Sequence, residues 1–257
     1  MTENQMLAEV IRIADEASQK VMDIYLTDFD VDFKADESPI TAADIASHRI
    51  ITEGLENLSY NIPVLSEEGA DIPWEERSQW RRFWLIDPID GTKEFTRRTD
   101  EFTVNIALIE DGGPVLGVVT APALSEAYWG AKGEGAYKRD SAGGIQRITV
   151  AEPKGAVRVV ASKSHLNDDT RAFIEKFESH ELVQAGSSLK FCRIAEGSAD
   201  IYPRLGPTCE WDTGAAHAVL TAAGGKVETL DGAPLQYGKK DVLNPYFVAS
   251  GNWYHGR

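Results

Sequence analysis

The stretch Phe83-Trp84-Leu85-Ile86-Asp87-Pro88-Ile89-Asp90-Gly91-Thr92 marks the place where the chain changes from apolar to acidic. Its first four residues form an unbroken, aromatic-rich run, which predicts a buried β-strand that stops at Asp87. Gly91 and Thr92 then lead into a short predicted helix. Open α/β sheets build sites at junctions of this kind, because the amides at the start of a helix can hold an anion. Residues 83–92 are therefore the first candidate for a functional site.

Asp87 and Asp90 place two carboxylates beside a buried strand. Two ionised carboxylates in such a place repel each other, and a bound divalent cation would remove that cost. Hard oxygen donors, without a usable group of histidines or cysteines, favour Mg²⁺ over zinc. For the D-x-x-D-G pattern alone, the alternative is an Asp-Pro turn with a helix cap, and the pattern does not decide between the two.

Three further carboxylates lie at the ends of predicted elements. Glu67 follows the short apolar run 63–66. Asp212 precedes an apolar helical segment, where a plain N-cap is the alternative. Asp44 lies at the start of the second predicted helix, where it could do no more than favour the helix dipole. With the two aspartates above, these residues give four acidic segments at element ends.

The spacing of apolar residues predicts two domains of different type. Helical periods cover about 4–26 and 42–58, and short strands in an antiparallel meander cover 103–137. Polar, glycine-rich residues 139–156 indicate a boundary near residue 155. Strands and helices then alternate, which favours an α/β layer. The predicted strands are 157–161, 182–184 and 199–202, and the predicted helices are 168–178, 189–196 and 213–223. We expect an α+β domain over 1–155, with most of the acidic segments, and an α/β domain over 156–257 that carries Asp212.

Composition excludes several classes of protein. The 257 residues include 26 Lys and Arg against 41 Asp and Glu, a net charge of −15, so no basic field exists for a nucleic acid polymer or an anionic membrane. No apolar run approaches the ~20 residues of a transmembrane segment, and the first residues lack a signal-peptide pattern. Cys192 and Cys209 form no disulfide framework, which fits a reducing compartment. We expect a cytoplasmic protein. Its oligomeric state, monomer or homodimer, and peripheral association with the inner face of the membrane stay open.

Three motifs together resemble one known group of enzymes. Residues 87–92, with Ser66-Glu67-Glu68-Gly69 upstream and Trp211-Asp212-Thr213-Gly214-Ala215 downstream, resemble the inositol monophosphatase superfamily of Mg²⁺-dependent, lithium-sensitive phosphatases. The resemblance spans nearly the whole chain and implies a layered α/β/α/β/α sandwich with the site between two domains. Residues 34–44 and 186–204 are similar to the bacterial 3′(2′),5′-bisphosphate nucleotidase branch. Enzymes of that branch remove the 3′-phosphate from adenosine 3′,5′-bisphosphate, a by-product of sulfate assimilation.

The resemblance also implies a role for individual residues. The ligands of two to three Mg²⁺ ions would be Glu67, Asp87, Asp90, Asp212 and the main-chain carbonyl of Ile89. Asp44 and Thr92 would orient and deprotonate the attacking water, and the amides of Gly91 and Thr92 would hold the phosphate. The nucleotide and its second phosphate would be contacted by His165, Ser187, Lys190 and Arg204. Further substrate contacts would be shared with the metal-binding segments, at Glu67, Ile89, Asp90 and Asp212.

Two other functions stay open at this point. The first is the same phosphatase chemistry with inositol or sugar monophosphates as substrates. Segment 186–204 is the feature that discriminates between this function and a nucleotidase. The second is a catalytically silent nucleotide- or metal-binding protein, and the presence of every motif carboxylate argues against it. Without the resemblance, Lys190 would equally be a solvated lysine and Arg204 a partner in a surface salt bridge.

Overall fold

Two β-sheets and a small hairpin organise the chain in the computed structural model, which describes residues 3–34, 39–58, 61–161 and 167–256. The helices are α1 (Glu3–Tyr25), α2 (Ala42–Leu58), α3 (Trp74–Arg77), α4 (Thr92–Thr96), α5 (Asp168–Ile174), α6 (Leu189–Ala195) and α7 (Gly214–Ala222). The strands are β1 (Val31–Phe33), β2 (Pro39–Thr41), β3 (Val64–Ser66), β4 (Arg82–Asp90), β5 (Thr103–Glu110), β6 (Gly113–Ala121), β7 (Glu126–Ala131), β8 (Gly135–Arg139), β9 (Ile145–Ile148), β10 (Val157–Ala161), β11 (His180–Gln184), β12 (Ile201–Arg204), β13 (Lys226–Thr229) and β14 (Phe247–Ser250). Two short 3₁₀ turns cover Glu67–Gly69 and Pro122–Leu124.

The two sheets differ in topology. The larger sheet has the order β3-β4-β5-β6-β7-β8-β9, and only its first pair is parallel. The antiparallel meander predicted for 103–137 is therefore confirmed. The smaller sheet has the order β11-β10-β12-β14-β13, with parallel pairs around β10 and antiparallel pairs around β14. Strands β1 and β2 form a separate antiparallel hairpin.

Strand β4 shows how the layers form, because its alternate side chains are buried on opposite faces of the sheet. Trp84 and Ile86 belong to the core shared with α1 and α2. Phe83 and Leu85 belong to the core shared with α6, α7 and the inner face of the smaller sheet. The outer face of the smaller sheet packs on α5 through a third core. The expected α/β/α/β/α layering is thus confirmed, and burial on both faces explains the unbroken apolar run.

The prediction that the strand stops at Asp87 is wrong. Strand β4 continues to Asp90, with a register shift between Asp87, which is opposite Asn105, and Asp90, which is opposite Thr103. Two residues on β4 oppose one on β5, which is the arrangement of a β-bulge. Pro88 lies within the bulge, where a missing amide hydrogen removes no regular ladder bond.

Most helices agree with their apolar periods. Helices α1 and α2 differ from the expected ranges by a residue or less at each end. Helix α5 ends at Ile174, before the expected residue 178, because Glu175 closes its last turn. No helix in the described ranges is both long enough and apolar enough to cross a membrane.

Sequence reasoning missed several short strands. Strand β9 lies inside the stretch interpreted as a polar boundary, and three of its four residues are exposed at the end of the larger sheet. Strands β13 and β14, of four residues each, were also not predicted. A domain boundary near residue 155 stays a prediction, and it lies between the last strand of the larger sheet and the first strand of the smaller one.

Candidate metal centre and active site

Three aspartates from two distant parts of the sequence meet at one place. Asp87 and Asp90 lie at the bulged end of β4, and Asp212 lies in the turn before α7. Each offers a carboxylate oxygen, and these atoms lie within 4.8 Å of one another. The structure therefore brings together three of the four carboxylates that were expected to bind metal.

The electrostatics of this group are unfavourable without a cation. Burial and the charges of the neighbouring carboxylates raise the pKa of Asp87 well above its ordinary value. Burial also raises the pKa of Asp90 to about 6, although the charge of Lys190 and a hydrogen bond from Ser188 oppose this effect. Burial, followed by the charge of Asp90, raises the pKa of Asp212 to about 8. Because the pKa of each aspartate is raised, all three can be ionised at neutral pH only when a positive charge lies between them.

The residues present fit a hard divalent cation. Oδ2 of the fully buried Asp87 has no hydrogen-bond partner among the described residues. An orphaned carboxylate oxygen beside two other carboxylates is an oxygen-donor set of the kind that Mg²⁺ prefers. Ile89 lies beside the cluster, since its amide donates a hydrogen bond of 3.1 Å to Asp87 Oδ1, and its main-chain carbonyl lies 3.3 Å from the Thr92 hydroxyl.

Asp212 does not cap helix α7, so the N-cap alternative is wrong. The N-cap position is Thr213, whose side chain makes no capping hydrogen bond. Oδ2 of Asp212 instead accepts a hydrogen bond of 2.8 Å from the amide of Cys209. The Asp212 carboxylate is thus held in a turn, within the 4.8 Å group that it forms with Asp87 and Asp90.

Glu67 lies beside the three aspartates but outside their 4.8 Å group. It is the first residue of the 3₁₀ turn, which Ser66 caps by accepting a hydrogen bond from the amide of Glu68. The Lys34 ammonium contacts Glu67 Oε1 at 2.8 Å and Glu68 Oε1 at 2.6 Å. The charge of Glu67 is the second-largest cause of the raised pKa of Asp87, which places Glu67 next to the cluster.

Asp44 and Thr92 form the pair expected to act on water. Asp44 is buried, and its Oδ1 lies 3.2 Å from the Thr92 hydroxyl. Its Oδ2 accepts hydrogen bonds of 2.7 Å from the amide and the hydroxyl of Thr41, just before α2. Asp44 therefore closes the start of the helix with one oxygen and faces Thr92 with the other. Burial raises the pKa of Asp44 to about 6, despite the opposing Thr41 hydrogen bonds.

Helix α2 holds two further parts of the site, which sequence reasoning missed. Ser47 donates a hydrogen bond of 2.8 Å to the carbonyl of Pro88, in the bulge of β4. His48 Nδ1 lies 2.8 Å from the hydroxyl of Ser66, just before Glu67. Their spacing of three and four residues from Asp44 was the available signal, because such residues share one face of a helix.

Gly91 and Ser187 make a close contact between the two halves of the chain. Gly91 has a φ of 92°, and a Cβ built there would lie 2.2 Å from the Ser187 hydroxyl. That hydroxyl is 2.9 Å from the carbonyl of Asp90 and 2.8 Å from that of Glu101. Ser187 itself has a positive φ of 46°, so its backbone at this contact is in a conformation that is uncommon for a residue other than glycine.

Two cations lie beside the aspartates. Lys190 is buried, donates to the carbonyl of Ser187 at 3.1 Å, and opposes the raised pKa of Asp90 through its charge. Arg204 donates from Nη2 to the carbonyl of Pro207 at 2.6 Å, while its Nε is buried without a hydrogen-bond partner in the described part of the chain. Its charge opposes the raised pKa of Asp212. His165, the remaining predicted contact, lies outside the described residues.

Comparisons with known proteins agree with this geometry. The sequence matches the Inositol monophosphatase family over residues 3–255. It is 47% identical to the 3′(2′),5′-bisphosphate nucleotidase CysQ of Escherichia coli (strain K12) over 249 residues, which cover 95% of this chain and 99% of that protein. It is 48% identical to the CysQ nucleotidase of Salmonella typhimurium over 245 residues, which cover 94% of this chain and 98% of that protein. The crystal structure of CysQ from Bacteroides thetaiotaomicron is similar with a TM-score of 0.85 at 39% identity, covering 96% of this chain and 97% of that one. The chain belongs to the inositol monophosphatase family.

Proposed function

We propose that this chain is a Mg²⁺-dependent phosphomonoesterase that hydrolyses adenosine 3′,5′-bisphosphate to AMP and phosphate. The observation that carries the reaction type is the meeting of Asp87, Asp90 and Asp212 within 4.8 Å of one another. The substrate class rests on the relatives, since proteins named 3′(2′),5′-bisphosphate nucleotidase are 47–48% identical over almost their whole length. The family is Mg²⁺-dependent, and a count of two to three ions is part of the proposal.

The residues that would hold the ions are Glu67, Asp87, Asp90, Asp212 and the carbonyl oxygen of Ile89. When bound, Mg²⁺ lowers the pKa of a coordinated water, neutralises phosphoryl oxygens and stabilises the leaving oxygen. All other steps belong to the protein. The carboxylates, of which Asp87 is buried and the others are partly buried, are in position before substrate arrives, so little reorganisation is needed during the reaction.

Asp44 and Thr92 would prepare the attacking water. The Thr92 hydroxyl donates its single proton towards Asp44 Oδ1, so its lone pairs can accept a hydrogen bond from water. As the water oxygen bonds to phosphorus, the bond from phosphorus to the ribose 3′-oxygen breaks. The water proton passes to the Thr92 oxygen while the Thr92 proton moves to Asp44, and the departing 3′-oxygen takes a proton from solvent. Asp44 must therefore be ionised at the start, and no covalent intermediate on the protein is needed.

The remaining predicted contacts would hold the substrate. The amides of Gly91 and Thr92, at the start of α4, would face the scissile phosphate. Lys190 and Arg204 supply positive charge for the phosphate that is not cleaved. The charge of Arg204 acts on Asp212, which supports its place beside the site. Ser187 and His165 complete the proposed nucleotide contacts.

A substrate panel tests the proposal. Phosphate release is measured with adenosine 3′,5′-bisphosphate, adenosine 2′,5′-bisphosphate, the sulfated nucleotide and inositol 1-phosphate, each with and without Mg²⁺. We expect Mg²⁺-dependent release with the highest kcat/KM on a nucleoside bisphosphate, and inhibition by millimolar Li⁺. A higher kcat/KM on inositol 1-phosphate would instead favour an inositol monophosphatase, and release from none of them would favour a silent binding protein.

A matched pair of variants separates the metal mechanism from general damage. Asp90→Asn should lose nearly all turnover while the protein stays folded, because the residue lies in the carboxylate cluster. Asp28→Asn removes one charge from an exposed residue outside the site and should keep wild-type kcat. Wild-type kcat in Asp90→Asn would remove the metal mechanism.

A further inference from the structure

Ser188 lies between Asp90 and Asp212 in the proposed metal centre, and its hydroxyl group contacts both residues. It occupies the N-cap position of α6, yet its side chain makes no capping hydrogen bond. Serine at this position usually caps the helix with its oxygen. The side chain is 1% exposed, so the hydroxyl does not simply face solvent. Its partners must therefore explain why a polar group is buried here.

The partners come from three different segments. Ser188 Oγ lies 3.0 Å from Oδ2 of Asp90, at the end of β4, and 2.9 Å from the carbonyl oxygen of Asp212. Asn105 of β5 donates from Nδ2 to the same hydroxyl at 2.9 Å. The Ser188 hydroxyl thus contacts one proposed metal-binding residue from each half of the chain, Asp90 and Asp212. A third residue, Asn105, holds the hydroxyl in place.

The hydrogen count fixes the direction of these contacts. Asn105 supplies a donor, so Ser188 accepts that bond with a lone pair. Its own single proton is left for Asp90 or for the Asp212 carbonyl, and an ionised carboxylate is the stronger acceptor. When Asp90 is ionised, Ser188 therefore donates to Oδ2 and restrains the rotation of that carboxylate.

We propose that Ser188 is a positioning residue that holds the Asp90 carboxylate at a fixed distance from the Asp212 turn, with Asn105 orienting its hydroxyl. Groups that orient metal ligands typically change metal affinity or activity by about 10- to 100-fold when removed. Ser188 touches neither the substrate nor the reacting atoms in this scheme, so it acts through Asp90. The inference rests on the proposed metal-dependent function.

The test measures Mg²⁺ binding without substrate, by isothermal titration calorimetry on the full chain. For Ser188→Ala we expect the Kd for Mg²⁺ to rise about tenfold or more, with a similar fall in kcat and a smaller change in KM. Ser188→Thr keeps a hydroxyl and should restore most of the affinity. Ser188→Cys fills nearly the same volume with a weak donor and should behave like the alanine variant. The cysteine variant keeps the proposal testable if alanine destabilises the fold.

A control variant and a second test variant separate an effect on metal binding from an effect on stability. Ser18, on α1, has a partly buried hydroxyl that lies 2.6 Å from the hydroxyl of Thr120 on β6. Ser18→Ala removes this contact and should lower Tm without changing the Kd for Mg²⁺. Asn105→Ala should weaken Mg²⁺ binding, and its effect should add little in combination with Ser188→Ala. A Kd within twofold of wild type in both Ser188→Ala and Ser188→Cys would overturn the inference while leaving the proposed function intact. If the wild-type chain binds no Mg²⁺, the proposed function fails first.

Discussion

Asp212→Asn is expected to abolish activity and, at the same time, to stabilise the metal-free protein. Asp212 has its pKa raised to about 8 by burial and by the charge of Asp90, against an ordinary value of 3.8. A group with a raised folded-state pKa contributes stability that is fully present at low pH. That contribution is lost as pH rises through the folded pKa, here between about pH 4 and pH 8. Asparagine cannot ionise, and its carbonyl oxygen can still accept the hydrogen bond from Cys209.

The size of the effect follows from the same two pKa values. At pH 7.5 the folded protein keeps Asp212 mostly protonated, 3.7 pH units above its ordinary pKa. At about 1.4 kcal/mol per unit this lowers the free energy of unfolding by about 5 kcal/mol, and at pH 5 by about 2 kcal/mol. Removing that penalty should raise Tm on the order of 10 °C at pH 7.5, and by much less at pH 5.

The assay is thermal unfolding in EDTA between pH 5 and pH 8, with kcat measured separately in Mg²⁺. Asp212→Asn should unfold at a higher temperature than wild type, with a difference that grows with pH. Its kcat should fall by more than about 100-fold, since even groups behind a metal ligand can matter that much. The exposed Asp28→Asn serves as the control and should follow wild type at every pH. An Asp212→Asn variant with wild-type Tm in EDTA at pH 8 would refute the reasoning.

Three other variants test different parts of the site. Arg204→Ala should raise KM for the bisphosphate about tenfold or more and leave KM for a nucleoside 3′-monophosphate nearly unchanged, because a charged hydrogen bond to the second phosphate is lost; equal increases would argue against that contact. Gly91→Ala places a Cβ 2.2 Å from the Ser187 hydroxyl at a φ of 92° and should lower both Tm and kcat. Its control is Gly133→Ala, because Gly133 has a φ of 85° and no atom lies within 4 Å of the added Cβ. This variant should lose only the ~1–2 kcal/mol of unfolding free energy that a non-glycine residue costs at positive φ, and it should keep wild-type kcat. The acid limb of kcat/KM should have its midpoint at or below about pH 6, since Asp44 must be ionised and bound cations lower the pKa of a carboxyl group; a midpoint above about pH 7 would contradict its role as the base.

Sequence patterns were sufficient where one segment carries the information. Apolar periods predicted α1, α2 and the meander, because each of these elements is long enough to repeat its pattern. The amino-acid sequence of residues 87–92 indicated where β4 ends. It did not predict that β4 stays paired with β5 as far as Asp90. Strand β13 was not predicted, and only one of its four residues, Val227, is buried.

The choice between the plain and the functional interpretation of each carboxylate needed three dimensions. An N-cap and a metal ligand have the same local sequence at Asp212, and only its hydrogen bond from Cys209 and its distance from Asp90 distinguish them. Segment 186–204 includes Ser188, but the sequence assigned no role to that residue, because its partners lie 83, 98 and 24 residues away along the chain. A linear sequence records which side chains can ionise or donate a proton. Folding brings those side chains to within hydrogen-bond distance and removes the water between them, and that step turns ordinary acids into a site that needs a cation.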